Sequence, residues 1–325
     1  VVTGAYNADR WRLLGGVVSP VFTVTQGIGP TGAGTSLKYA TTTASTTTVG
    51  NTYIQVTQNI EGLNLQALEK GTSSAKSVTL SFWVKANQTG TYAVNLWDAT
   101  AVRQNSASYT VSAANTWEKK SIVLGPDTTG TINNDNTVGL ALNFILAVGS
   151  SYTGGSTGVS AHSGGAPNYA PNQSVNVAAN VGDYWEVAEV QLEVGSVATD
   201  FEHRSYGEIL ADCQRYCHVF QNGGTEAHLG VGAQYNATAV NIALHLPNSL
   251  RVSPTVERVL DGSGKWLQVY VGGASQSSNA VPQIADFSGN TIRFYCPSSI
   301  TNRTAGEASW CHVKPNAKLI LSAEL

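Results

Sequence analysis

Three tryptophans, Trp83, Trp97 and Trp185, stand opposite the apolar parity of the strands expected to carry them. A ring turned outward on a strand can take the C–H face of a sugar, provided planar amides or carboxylates nearby take the hydroxyls. Asn95, Glu189 and Gln191 fall on the same kind of face and are the expected polar partners. Trp83, Trp97, Asn95, Trp185 and Gln191 are therefore the candidate carbohydrate-binding residues, on a concave face that carries two of the tryptophans. The competing expectation is that these rings pack beneath loops or against another subunit, since aromatics are also enriched at interfaces.

Other chemistry-bearing groups point to less. Cys213, Cys217 and His218, with Cys296, Cys311 and His312, are the right residue types for zinc, but their spacing matches no zinc motif. Cys213 and Cys217 share an apolar helical stripe and are expected as packing residues, too far apart to bridge each other. Cys296 and Cys311 are candidates for adjacent strands and for pairing. Glu202-His203-Arg204 is expected as a polar junction rather than an acid/base pair. No catalytic motif, phosphate loop or paired-carboxylate pattern stands out, so no enzyme activity, cofactor or metal is expected. The sequons at Asn87, Asn172, Asn236 and Asn302 are read as chance.

The elements that must position these residues are strands. Val78, Leu80, Phe82 and Val84 alternate with polar neighbours, Asn87-Gln88-Thr89-Gly90 turns the chain, and Tyr92, Val94 and Leu96 resume. The pattern predicts a hairpin over 78–97. Leu140 to Val148 and Val190 to Val194 predict two more strands, separated by a long Gly-, Ser-, Asn- and Pro-bearing stretch that contains Gly154-Gly155-Ser156 and Gly164-Gly165-Ala166-Pro167. A loop of that length is either functional or a plain surface connection. The Thr41 to Thr48 run is expected as a strand edge or loop. Ser205 and Glu208 have capping-box spacing, and Ile209, Leu210, Cys213, Tyr216, Cys217 and Phe220 recur at three- and four-residue intervals as an apolar stripe. That predicts one amphipathic helix over 204–220. Val240 to Leu246, Trp266 to Val271, Thr291 to Cys296 and Lys318 to Leu321 predict strands after it.

The fold class expected is all-β: a jelly-roll β-sandwich over 1–203, one short connecting helix, and a smaller β domain over 221–325. Charged residues are only 12% and the net charge is -3, which gives no footprint for nucleic acid. No run of about eighteen apolar residues exists, so no membrane insertion is expected. The chain contains no Met and is expected to be the later part of something longer.

The stretch Gln191-Leu192-Glu193-Val194-Gly195-Ser196-Val197-Ala198-Thr199-Asp200-Phe201-Glu202-His203-Arg204, followed by Ser205-Tyr206-Gly207-Glu208 and Cys213-Gln214-Arg215-Tyr216-Cys217, resembles a signature of tailed-bacteriophage tail-fibre and virion surface proteins. Ala8-Asp9-Arg10-Trp11, Ser81 to Lys85, Asn115 to Lys119, Leu250 to Thr255 and the terminal Ser322 to Leu325 are similar to further motifs of that family. Cys217 stands where the family commonly has Tyr, and the strand the family carries ahead of Ala8 is not recognisable. The resemblance implies a carbohydrate-binding-like jelly roll, a trimerising second unit, and a place on the virion surface after assembly in the bacterial cytoplasm. The expected function is a virion tail fibre or appendage that contributes to attachment to host-surface glycans. Its expected partners are further copies of itself, other virion proteins and host polysaccharide. The expected oligomer contacts are Ile209, Leu210, Cys213, Tyr216, Cys217 and Phe220. The alternative is a purely architectural capsid or tail decoration protein. A depolymerase is the third and least expected.

Overall fold

The computed structural model describes residues 6–8, 10–16, 21–31, 34–45, 50–162, 167–221, 223–297 and 303–325. Asp9 of the Ala8–Trp11 motif, 46–48 of the threonine run, Gly164 to Ala166 of the long loop and Asn302 lie outside them. The chain is all-β and divides into two units, Val1–His203 with Leu325, and Arg204–Glu324. Among the described residues no helix is long and apolar enough to cross a membrane.

The first unit holds β1 (Tyr6–Ala8), β2 (Trp11–Gly16), β3 (Val21–Ile28), β4 (Thr35–Thr43), β5 (Tyr53–Glu61), β6 (Val78–Ala86), β7 (Gly90–Asp98), β8 (Arg103–Val111), β9 (Glu118–Leu124), β10 (Val138–Val148), β11 (Gly158–Ala161) and β12 (Tyr184–Val194). They form a jelly-roll sandwich. A seven-stranded sheet runs β1-β2-β5-β10-β7-β8-β11 and a five-stranded sheet runs β3-β4-β12-β6-β9. Leu80, Phe82 and Val84 from one sheet meet Val56, Val94 and Phe144 from the other in a single core. Phe82 stands edge-on to both Phe144, at 5.0 Å, and Tyr109, at 5.1 Å.

Strands β6 and β7 are therefore not a hairpin. Their apolar parities face each other across the core, from different sheets. Alternation reports which side of a strand is buried, but not whether its neighbour pairs beside it or packs opposite it.

A second departure explains Trp185. In β12 the pairing with β6 slips between Ala188 and Gln191, where one extra residue is inserted, and Glu189 takes φ 50°. This β-bulge reverses the inward parity. Trp185 and Val187 point into the core before it, and Val190 and Leu192 pack against the core after it. Extrapolating backward from Val190 and Leu192 puts Trp185 outside; in the structure it is fully buried. Its indole Nε1 donates to the Tyr109 hydroxyl at 3.0 Å, and burial drives that hydroxyl's pKa strongly upward.

The second unit begins with α1 (Tyr206–Gln214). The capping box is present: the Glu208 amide donates to Ser205 Oγ, and the Ser205 amide donates to Glu208 Oε2 at 3.0 Å. The helix is shorter than its stripe predicts. Tyr216 lies in a turn and is buried, while Cys217 and Phe220 belong to β13 (Cys217–Phe220). The spacing of Tyr216, Cys217 and Phe220 fits a helix and does not anticipate the strand. Ladder pairing of Cys217 with Ser322 and Phe220 with Leu319 decides the matter.

Then follow β14 (Ala227–Asn236), β15 (Ala239–His245), β16 (Thr255–Val259), β17 (Leu267–Val271), β18 (Ala274–Ser278), β19 (Gln283–Ser288), β20 (Thr291–Cys296), β21 (Ala308–Val313) and β22 (Lys318–Ser322). A three-stranded sheet runs β13-β22-β16 and a seven-stranded sheet runs β18-β17-β21-β14-β15-β20-β19. Trp266, Phe294, Leu246 and Leu319 are in their shared core. Cys296 and Cys311 are in that core as free thiols. They do not sit on adjacent strands, because β14 and β15 lie between β20 and β21. Burial pushes the Cys311 thiol up to about 12.

Removing the hydroxyl in Tyr109→Phe strands the buried Trp185 N–H. The substitution is expected to lower the stability of the first unit by about 1–3 kcal/mol, read as a shift in its urea midpoint at unchanged slope.

Candidate functional site

The outer face of the first unit's seven-stranded sheet is polar. Arg12 and Leu14 from β2, Tyr53, Gln55, Thr57 and Asn59 from β5, Asn143 from β10, Asn95 and Trp97 from β7, and Gln104 and Ser106 from β8 share it by register. Their in-strand neighbours Leu13, Ile54, Val56, Val94 and Leu96 are the buried core positions. Alternation therefore makes the polar parity a continuous floor.

That floor is tied together from within. Gln55 Nε2 donates to Asn143 Oδ1 at 3.0 Å and to Thr57 Oγ1 at 3.1 Å, and the Thr57 hydroxyl donates to Asn143 Oδ1 at 2.8 Å. Asn143 Nδ2 donates to Asn95 Oδ1 at 3.4 Å, and Asn95 Nδ2 to Ser106 Oγ at 2.7 Å. Each amide is held in one orientation by its neighbours, which fixes where the remaining donors and acceptors point.

The long loop after β10 lies over part of this floor. Tyr152, Tyr169 and Ala170 pack on Ala93 and Ile145 as a small satellite core, with Tyr53 and Val148 beside it. The Tyr169 hydroxyl donates to Gln55 Oε1. Gln173 Nε2 donates to the Ile145 carbonyl at 3.1 Å, and its Oε1 accepts the Ala93 amide at 2.7 Å. Burial raises the Tyr169 hydroxyl's pKa well above its ordinary value.

Where the loop stops, a cleft of about 360 Å³ is open. Among the described residues, Tyr53, Tyr152, Tyr169, His162 and Trp97 are its aromatic lining, Gln55, Thr57, Asn59 and Asn143 are its neutral polar lining, and Arg12 is its one charged residue. Tyr152 and Tyr169 ring centroids are 5.3 Å apart, and Tyr53 is 6.1 Å from Tyr169. His162 stands edge-on to Trp97 at 4.5 Å. Its Nδ1 is 3.0 Å from Gln104 Oε1, and Gln104 Nε2 donates to Ser160 Oγ at 3.1 Å. Burial lowers the His162 pKa, keeping the ring neutral further into acid.

Behind the Trp97 side lies an ion network. Lys70 Nζ is 2.5 Å from Asp98 Oδ2 and 3.4 Å from Asp127 Oδ2, and donates to the Gly130 carbonyl at 2.7 Å. Arg103 makes a forked pair with Asp127 at 2.7 to 3.0 Å. Asp98 follows Trp97 in β7, and Arg103 precedes Gln104 in β8. The network thus pins the strand ends that carry two residues of the site. Burial alone would raise the Asp127 carboxyl, but hydrogen bonds from Arg103 and the Thr129 amide, with the nearby Lys70 charge, hold it below its usual value.

Of the five residues expected to bind sugar, only Trp97 reaches the cleft wall. Asn95 is on the same face but fully buried, committed to Ser106 and Asn143. Trp83 is half-buried on the outer face of the other sheet, opposite Lys119 and Ala188, so the two tryptophans do not share a face. Gln191 is also on that other sheet, with Nε2 on Thr199 Oγ1 at 3.2 Å and Oε1 accepting the Glu202 amide at 2.8 Å. It holds the segment that leads out of β12. Trp185 is core. Tyr53, Gln55, Asn143, Tyr152, His162 and Tyr169 were not singled out from sequence. The alternation Tyr53-Gln55-Thr57-Asn59 is a legible signal for the floor, whereas no local pattern brings Tyr152, His162 and Tyr169 to it.

No family model matches the chain, and no curated protein matches it. Among solved structures it is similar to the enzymatically active domain of tailspike protein 4 from bacteriophage CBA120, at 17% identity and a TM-score of 0.33, over 58% of this chain and 20% of that one. It is similar to a CBM4 structure at 15% identity and TM-score 0.33, over 60% of this chain and 92% of that one. A family 11 carbohydrate-binding module from Clostridium thermocellum, in complex with a β-1,3-1,4-mixed-linked tetrasaccharide, is similar at 14% identity and TM-score 0.32, over 59% of this chain and 93% of that one. The chain spans about a fifth of the tailspike's length.

Asp127 has a folded pKa below its ordinary 3.8. It contributes stability above that pH, and the contribution is lost as pH falls through the folded value. Asp127→Asn is therefore expected to lower the thermal midpoint at neutral pH and to flatten its fall as the pH drops below about 4, followed by circular dichroism.

Proposed function

We propose that the first unit is a glycan-binding module and that the chain is a bacteriophage virion surface protein acting through binding. The observation that carries the glycan reading is the cleft itself: an amide floor locked by mutual hydrogen bonds, walled by Tyr53, Tyr152, Tyr169, His162 and Trp97. A pyranose presents apolar C–H faces and a rim of hydroxyls. Rings take the first, and planar amides take the second in both donor and acceptor senses. The described lining contains no Asp or Glu side chain, so it offers no carboxylate pair of the kind most glycoside hydrolases use. Binding rather than cleavage suits that lining.

The virion part of the proposal rests on the resemblance around Gln191 to Cys217. Self-association is part of the same proposal and is supported by α1, in which no residue is buried. Ile209 is 45% and Leu210 38% exposed, and nine residues are too few to be helical alone in water. A second copy covering Ile209, Leu210 and Cys213 is the occupant proposed; Tyr216, Cys217 and Phe220 drop out of that helical face.

The test is affinity electrophoresis of the full chain through gels containing host capsular polysaccharide, lipopolysaccharide or teichoic acid. Retardation by at least one is expected, with Trp97→Ala weakening it by about tenfold or more. Unchanged mobility in every gel, or a Trp97→Ala variant that binds as the parent does, overturns the glycan reading and favours an architectural role. In sedimentation, Ile209→Asp is expected to reduce an oligomer to a monomer; an unchanged mass removes α1 as the interface.

A further inference from the structure

We infer that the second unit carries a separate sugar-binding surface, a row of rings across β17, β21 and β14. Tyr270, His312, His228 and Trp310 lie on the outward parity of these strands. His228 pairs with His312, and Trp310 pairs with both Tyr270 and Val231. The alternating residues Leu229, Val269, Val271, Cys311 and Val313 are the buried ones. Successive ring centroids are 5.4 Å (Tyr270–His312), 5.2 Å (His312–His228) and 5.8 Å (His228–Trp310) apart. Trp310 is 60% exposed. The Tyr270 hydroxyl, one strand across from Trp310, donates to both Glu226 oxygens, at 2.9 and 3.0 Å, and His312 Nδ1 is 3.7 Å from Glu226 Oε2.

The chemistry along this row distinguishes its occupant. The core of a protein interface is depleted of charged residues, yet here the Glu226 carboxylate stands against Tyr270 and His312. A sugar chain needs that mixture, with stacking area for its C–H faces and planar acceptors and donors at intervals for its hydroxyls. Among the described residues the row contains one carboxylate and no Lys or Arg, so it suits neutral or amino-bearing pyranoses and disfavours acidic ones. No residue of the row belongs to the first unit's cleft, so the two surfaces can fail independently.

The full chain is titrated with cellohexaose, maltohexaose, chitohexaose, a glucosamine hexamer and hexagalacturonate, comparing the parent with Trp97→Ala, Trp310→Ala, Trp310→Phe and the double alanine variant. At least one neutral or amino-bearing probe is expected to remain bound by Trp97→Ala and to lose about tenfold or more of its affinity on Trp310→Ala. Trp310→Phe is expected to retain most of it, and hexagalacturonate to bind least. Loss of all binding in Trp97→Ala overturns the inference and leaves the cleft standing. Binding unaffected by Trp97→Ala and abolished by Trp310→Ala overturns the cleft and leaves this row. The inference is also overturned if no probe binds the parent, if Trp310→Ala binds every probe as the parent does, or if it changes the sedimenting mass, which marks the face as a protein interface.

Discussion

The first unit depends on one constraint: part of its seven-stranded sheet is buried on both faces, and the two faces are buried by different means. The inner face is closed by packing Phe82 and Trp185 against Val94, Tyr109 and Phe144. The outer face is polar, so it can be covered only where its amides find partners. An unsatisfied buried amide costs more than its hydrogen bond returns when made. The chain Gln55–Asn143–Asn95–Ser106, closed at Gln55 by the Tyr169 hydroxyl, meets that demand. Remove the chain and the loop cannot lie down; remove the loop and the cleft loses the wall formed by Tyr152 and Tyr169.

On the proposed glycan-binding reading, this arrangement lets the cleft select among ligands. Amides fixed by one another cannot turn to suit whatever arrives, so their remaining hydrogen-bonding positions are a preset pattern. Preset groups lose little freedom on binding, and a ligand that leaves one unpaired is penalised. The ion network behind Trp97 serves the same end. Lys70 and Asp127 hold Asp98 and Arg103, the residues at the facing ends of β7 and β8.

The fold class and many of the strands were legible in the sequence because alternation is a local signal, as at Val78 to Val84 and Val240 to Leu246. What was not legible is what alternation does not encode. Val84 and Val94 read as one hairpin, yet they face each other from two sheets. Trp185 reads as exposed from the parity of Val190 and Leu192, yet one inserted residue at Glu189 reverses that parity. Phe220 reads as the last residue of a helical stripe, yet its ladder with Leu319, almost a hundred positions on, makes it a strand. In each case a long-range partner overrides a correct local pattern.

The site follows the same division. Trp97 and the Tyr53-Gln55-Thr57-Asn59 series are visible as outward parity, because they belong to strands. Tyr152, His162 and Tyr169 come from a stretch whose composition says only that it is a loop. Tyr152 and Tyr169 reach the floor because the sheet's outer face presents Ala93 and Ile145, two small patches of apolar surface among amides, whereas His162 is held by Gln104 and Trp97. The aromatic wall is thus a consequence of apolar gaps in a floor that is otherwise polar.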